Sequence, residues 1–380
     1  MLLAREYVED AVVVARVRDY RSALGVHRRL DQVGARLGLA VPDYGVGGLR
    51  GLKRGVDLLT NRAIRRPLRV LIEQAEFIYA DGGACPVAFL GAQIARQVGR
   101  HLILEMRGES VLNRHYMRQR YGLLGLAYLV VLRKLSETVH RQSLAGLYRN
   151  QDLLIKYPVA GNVRSVISGV HLPDGFGGVP RQYTEPARCY MFTGHLEAVK
   201  RVDLILNALN VARERLPREW CFHVVGGGPQ EPMLRTLTEE LRLGEHVVFH
   251  GRVQWGEPLA QLYRRADLAL MASTTEGASR ALVEAMAFGL PVVSTSVGNA
   301  PELLDSSVLV PAGNLQAYAS LVTDLVNDPV RLTKYSKDNW ERAQNFQPAV
   351  LDAKRREFWE QAIDLSRREV KKGSIQLTRF

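Results

Sequence analysis

Residues 267–293 read DLALMASTTEGASRALVEAMAFGLPVV, and the order of residue types in this stretch decides the fold. Asp267–Ala272 is a short apolar run closed by polar residues, the pattern of a strand buried on both faces. After a glycine turn, apolar residues recur nearly all round from Arg280 to Phe288, as in a buried helix. A second apolar run follows at Pro291–Ser296. Strand, helix and strand in so short a span predict a parallel pair joined by a crossover.

Working outward, the same alternation fills the second half of the chain. Strands are expected at Ala187–Thr193, Trp220–Val225, His246–His250 and Ser307–Val310, and helices at Val202–Arg215, Glu231–Leu243, Pro258–Arg265 and Leu315–Asn327. The first half is less regular. Strands are expected there at Ala11–Val17, Phe77–Ala80 and His101–Met106, with helices at Ala23–Leu37 and Val87–Val98. The simplest account is an α/β protein of two doubly wound, Rossmann-like parallel sheets facing across a cleft, since 380 residues exceed one ordinary domain. The expected division is 1–180, 181–345 and a helical segment at 346–380, centred on Val350–Lys371, that returns to the first domain. The break is expected in the Gly/Pro-rich Asp174–Pro186.

Composition is ordinary for a globular protein, with 47% hydrophobic and 24% charged residues, which argues against a disordered chain. Three cysteines, Cys85, Cys189 and Cys221, are too few and too scattered in sequence for a disulfide scaffold or a zinc site. No export signal or spanning run is apparent, so a cytoplasmic protein is expected. The net charge of +12 is uneven: residues 1–183 carry 27 Lys/Arg against 15 Asp/Glu, and the remainder 24 of each. That excess suits an anionic membrane surface or an acidic acceptor, and equally a merely solvated face. No nucleic-acid motif accompanies it, so no nucleic-acid partner is expected.

Three places carry chemistry. Thr193-Gly194-His195 ends a strand, with Lys200-Arg201 at the start of the next helix; a glycine and a cation there suit a phosphate, or serve a turn and solvent. Val225-Gly226-Gly227-Gly228-Pro229 resembles a phosphate loop but is weak alone, and a structural turn is the favoured reading. The third is the opening stretch, where the amides of Gly277, Ala278 and Ser279 precede a helix. Glu276 and Glu284 lie on the order of 12 Å apart at 1.5 Å per helical residue. That is too far for a paired-carboxylate hydrolase and suits two contacts along an extended ligand. Glu284 on an apolar helix needs a partner, whereas a solvated residue would not.

The run from Met191 to Glu302 resembles the donor-binding half of the GT-B retaining glycosyltransferases of family 4, the glycosyl transferases group 1. The residues that carry the resemblance are FTGHL with Lys200 and Asp203, VVGGGP, VVFHGRV, YRRADLALMAS, EGASRALVEAMAFGLPVV, and Gly298 with Pro301-Glu302; Val166–Leu172 is a weaker echo. The resemblance implies that Glu284 binds a ribose diol, Glu276 the transferred sugar and Lys200 the departing diphosphate. It further implies backbone contacts from Gly277, Ala278 and Ser279, and contact of Arg252-Val253 with the base; Gly194 and Gly227 are further donor-binding candidates. It implies no metal or other cofactor, only a nucleotide-diphosphate sugar as co-substrate, in keeping with the absence of an Asp-x-Asp motif. Two departures stand out. His195 occupies a position usually held by Arg, leaving the diphosphate to a protonated His195 or to Arg201. The first domain lacks the usual His after His101–Met106 and the usual Gly-rich loop, here Arg18–Ser22; Arg107 or Glu109 is the candidate there, with Arg107 taken as catalytic.

The function expected is retaining transfer of a hexose-type sugar to a glycan or lipid-linked acceptor, in cell-surface polysaccharide or glycolipid synthesis. Tyr121–Leu132, an apolar run flanked by Arg114, Arg118, Arg120, Arg133, Lys134 and Arg141, is compatible with a peripheral membrane contact and with a buried helix. The rivals are a nucleotide-sugar epimerase of the same fold and a catalytically silent sugar-binding partner.

Overall fold

The computed structural model describes residues 12–17, 37–42, 62–75, 78–81, 86–106, 114–170 and 172–377. They form two compact units, residues 1–167 with 354–380, and 168–353.

In the first unit, β3 (Ile78–Asp81), β4 (Leu102–Met106), β5 (Ser143–Tyr148) and β6 (Val163–Val166) make a four-stranded parallel sheet in that order. Every residue of β4 is buried, as expected of an interior strand in a sheet covered on both faces. Glu105 on β4 is held by the Tyr79 hydroxyl and the Arg149 guanidinium, so its carboxylate is paired inside the core. β1 (Val12–Val17) and β2 (Leu37–Pro42) form a separate parallel pair. The helix expected over Ala23–Leu37 is therefore cut at its end, because Leu37 opens β2; residues 23–36 lie outside the described residues.

Helices α1 (Arg62–Gln74), α2 (Pro86–Gln97), α3 (Arg114–Gln142) and α4 (Gln151–Lys156) complete the described part of this unit apart from the C-terminal segment. α3 holds the apolar run that admitted two readings, and it breaks at Gly122, whose φ of 60° and ψ of −146° are not helical. Leu129 and Leu132 of the run pack into the core, whereas Leu123, Val130 and Val131 are exposed. The final helix, Pro348–Leu377, joins this unit from Lys354 onward and sets Trp359 beside Tyr79, with ring centroids 5.7 Å apart.

The second unit is a six-stranded, wholly parallel sheet in the order β12-β11-β10-β7-β8-β9. Its strands are β7 (Cys189–Thr193), β8 (Cys221–Val225), β9 (Val247–Gly251), β10 (Leu268–Met271), β11 (Val292–Thr295) and β12 (Leu309–Val310). Numbered from β7 this is the doubly wound order 3-2-1-4-5-6, so the winding reverses between β7 and β10. Asp267 secures that junction, accepting from the Arg188 and Cys189 amides at 2.9 Å each. β10 and β11 are buried throughout, which is why their sequences are apolar runs without alternation. Helices α5 (Val202–Ala212), α6 (Glu231–Glu240), α7 (Glu257–Arg265), α8 (Arg280–Ala287), α9 (Ala300–Leu303), α10 (Leu315–Val326) and α11 (Pro329–Ala343) surround the sheet. The Tyr318 hydroxyl on α10 reaches the Met271 and Val293 carbonyls at 3.1 and 3.3 Å.

The Gly/Pro-rich stretch expected at the break instead belongs to the second unit from Ser168 onward. Phe176 packs against Trp255, Tyr263 and Phe288, and the Gly178 amide donates to Ala287 at 2.9 Å. A buried aromatic outweighs the breaker composition around it.

Two glycines of the GGG turn are required by packing. A Cβ on Gly226, at φ 140°, would fall 1.8 Å from the Gly194 carbonyl oxygen, and one on Gly228 2.5 Å from that of Leu196. The turn after β8 thus lies directly on the turn after β7. Gly226→Ala is expected to cost about 2–3 kcal/mol, seen as a fall of roughly 4–12 °C in the calorimetric transition of the second unit. A change below 1 °C would mean that this close approach is absent.

Candidate functional site

Ligands of open α/β sheets bind at the carboxyl ends of the strands where the winding reverses, here the ends of β7 and β10. Thr193-Gly194-His195 follows β7, and Ser273 to Ser279 follow β10. The two loops are tied together: the Thr274 amide donates to the Val199 carbonyl at 2.8 Å. That tie brings the ammonium of Lys200 onto the carboxylate of Glu276, an ion pair across 76 positions of sequence, both side chains largely shielded. The Ser273 hydroxyl donates to the same Glu276 oxygen at 2.9 Å. Gly298, at φ 58°, lets the following chain approach, since a Cβ there would stand 2.6 Å from Glu276 Cβ.

His195 is anchored by its ring. Nδ1 faces the Gly227 carbonyl, which can only accept, so Nδ1 carries the proton and Nε2 lies 3.6 Å from Glu197. The Gly227 carbonyl also accepts from the Leu196 amide at 3.2 Å. Arg201, offered above as a substitute diphosphate partner, is turned elsewhere: its Nε bonds both oxygens of Asp203, at 3.0 and 3.1 Å. It sits in the left-handed region at φ 50°, where the chain turns from a 3-10 turn into α5. Arg252 is exposed and lies over Gly227, within 3.0 Å of where a Cβ would be; Val253 packs against the core.

Ser279 caps α8, its hydroxyl accepting from Leu282. Its own amide is given to the side chain of Asn299 at 3.0 Å, so that amide is already partnered. Ala278 packs on the core beside it, while the side of Gly277 on which a side chain would stand is open. Glu284 is only 5% exposed. Its carboxylate accepts from the Tyr263 hydroxyl at 3.0 Å. Burial raises its pKa above the ordinary carboxylate value, opposed by Tyr263, by the Arg280 charge and by Trp255.

Site residues that the sequence reading passed over are therefore Ser273, Trp255, Tyr263 and Asn299. A buried carboxylate demands donors, and Tyr263 and Trp255 were the aromatic donors nearest in sequence; nothing in the sequence singles out Asn299. Arg107 and Glu109 lie outside the described residues, as do Arg18–Ser22.

Residues 187–328 match the family described as Glycosyl transferases group 1. The chain is 26% identical over 301 residues to the GDP-mannose-dependent alpha-(1-6)-phosphatidylinositol monomannoside mannosyltransferase of Mycolicibacterium smegmatis, covering 73% of this chain and 76% of that one. It is 30% identical over 220 residues to D-inositol 3-phosphate glycosyltransferase 2 of Catenulispora acidiphila, covering 54% of this chain and about half, 52%, of that enzyme. Among solved structures, Anabaena HepE in complex with UDP superposes with a TM-score of 0.62 at 18% identity, over 95% of this chain and 94% of that one. Sucrose-phosphate synthase from Thermosynechococcus elongatus does so at 0.60 and 14% identity, over 93% and 98%. The fold is GT-B, with two Rossmann-like parallel-sheet domains, and the sequence matches support the coarse activity of a glycosyltransferase.

Proposed function

We propose that the chain is a retaining, metal-independent transferase that moves a hexose-type sugar from a nucleotide-diphosphate sugar to a glycan or lipid-linked acceptor. The observation that carries this reading is the Lys200–Glu276 pair at the carboxyl ends of β7 and β10. In the reaction Lys200 turns from Glu276 to the departing diphosphate, where a fixed ammonium stabilises charge as it develops. Glu276, released, accepts hydrogen bonds from hydroxyls of the transferred sugar. Glu284 takes the ribose diol, positioned by Tyr263 and Trp255, and the backbone at Arg252-Val253 meets the base. The acceptor hydroxyl attacks from the side of the leaving diphosphate, whose oxygen collects the proton.

The names of the relatives favour a GDP-type donor with mannose or another hexose, and an acceptor bearing an inositol phosphate or phospholipid headgroup. The basic excess of residues 1–183 supports such an acceptor, and so does the helix α3, whose exposed Leu123, Val130 and Val131 neighbour the exposed Arg118, Arg133 and Lys134. Among the described residues no helix is long and apolar enough to cross a membrane. The location we infer is the inner face of a membrane, in synthesis of cell-surface polysaccharide or glycolipid.

Without acceptor the chain is expected to hydrolyse its donor slowly, and Glu276→Ala to lower that rate by roughly 100-fold or more with an unchanged melting curve. Isomerised free donor would favour an epimerase instead, and a product whose linkage, read from NMR coupling constants, is opposite to the donor's would exclude retention.

Glu284 yields a separate expectation. Its folded pKa is raised, so the native state binds the proton more tightly and stability falls as pH rises from the unfolded value through the folded one. Glu284→Gln should melt higher than wild type at pH 8, the difference vanishing toward pH 4, while donor affinity drops roughly 10–100-fold. An equal melting temperature at both pH values would show that the carboxylate is held at no cost. Anionic vesicles should retain the chain in flotation at low salt; absence from the floated fraction would remove the membrane from this account.

A further inference from the structure

Away from the carboxyl edge, the second sheet gathers three soft ligands on one face. Cys189 and Cys221 open β7 and β8 and are partners in the parallel register, although 32 positions separate them in sequence. His223 lies two residues after Cys221 and therefore on the same face of its strand. The two thiol sulfurs and an imidazole nitrogen all lie within 4.8 Å of one another. We propose that Cys189, Cys221 and His223 bind a zinc(II) ion, with His250 orienting His223.

The spacing fits a tetrahedral ion. Zinc bonds of about 2.3 Å to sulfur and about 2.0–2.1 Å to nitrogen give a tetrahedral S···N edge of about 3.5 Å. Cys221 Sγ and His223 Nε2 stand 3.5 Å apart. The other nitrogen of the same ring, Nδ1, is 2.9 Å from His250 Nε2 on the adjacent strand β9. With Nδ1–H donated to His250, Nε2 turns its lone pair toward the sulfurs; a ligating histidine is normally oriented by such a partner. The charges balance: two thiols lose their protons to solvent, the thiolates neutralise the ion, and water fills the fourth position. All four side chains are half-buried, shielded yet reachable by an ion.

The cysteines begin their strands, four residues before Thr193 and Val225, roughly 13 Å from the carboxyl edge at 3.3 Å per residue. An ion there would not touch a sugar at Glu276. It would cross-link β7 to β8 and, through His250, engage β9, a role in holding the sheet that is independent of the donor chemistry.

The test uses the full chain, reduced and stripped by a chelator, then titrated with cobalt(II) and afterwards with zinc(II). One equivalent of cobalt should raise a thiolate-to-cobalt charge-transfer band, one equivalent of zinc should bleach it, and zinc should raise the melting temperature. Cys189→Ser and Cys221→Ser should each remove at least half of the band, His250→Ala should weaken binding roughly 10–100-fold, and Cys85→Ser should leave the band intact. No band in the reduced wild-type chain would overturn the proposal, whatever the folding of the variants. So would a band that survives both substitutions, or zinc-loaded protein whose Cys189 and Cys221 still oxidise to a disulfide on aerobic dialysis.

Discussion

The pairing of β7 with β10 in the middle of the second sheet is the constraint on which the site depends. Two parallel strands far apart in sequence lie side by side, with Tyr190 opposite Leu268 and Met191 opposite Ala269. Their carboxyl ends therefore emerge together, while the connecting helices leave in opposite directions. The loop–loop bond from Thr274 to Val199, the ion pair of Lys200 with Glu276 and the seat of Gly298 against Glu276 all follow from that adjacency. A slip of one residue in that register would carry the loop after β10 about 3.3 Å along the sheet and part Glu276 from Lys200.

The second unit was legible because its local signals agree. Apolar runs without alternation, ended by Gly, Pro or Ser, mark parallel strands; Ser279 caps α8 and Gly289, at φ 65°, lies just past its end. What could not be read were contacts between elements. Nothing in the spacing of Cys189 and Cys221, of Tyr263 and Glu284, or of Asn299 and Ser279 announces that they meet, because sheet order and helix placement decide those encounters. Arg201 illustrates the converse: its charge and position suggested a phosphate partner, but the left-handed turn before α5 gives its head to Asp203.

The first unit was harder for physical reasons visible in its elements. Leu37 looks like the end of an amphipathic helix, yet it opens β2, since pairing with β1 outweighs local periodicity. The run from Tyr121 to Leu132 is apolar enough to be buried throughout, but Gly122 breaks the helix and the run shows one side to the core and another to solvent. GFGGVP carries every mark of a linker and is held in place by Phe176, one aromatic ring among glycines.

The Lys200–Glu276 contact has a kinetic side as well as an electrostatic one. Because Glu276 already satisfies the ammonium, a phosphate arriving at Lys200 would meet a rival within the protein. On the proposed mechanism the same rival would act at the end of a turnover: once the sugar had gone, Glu276 would again compete with the nucleotide product for Lys200. A carboxylate that surrenders its cation only while a sugar occupies it would hold the loaded donor more firmly than the spent nucleotide, and so bias the site toward exchange instead of product retention.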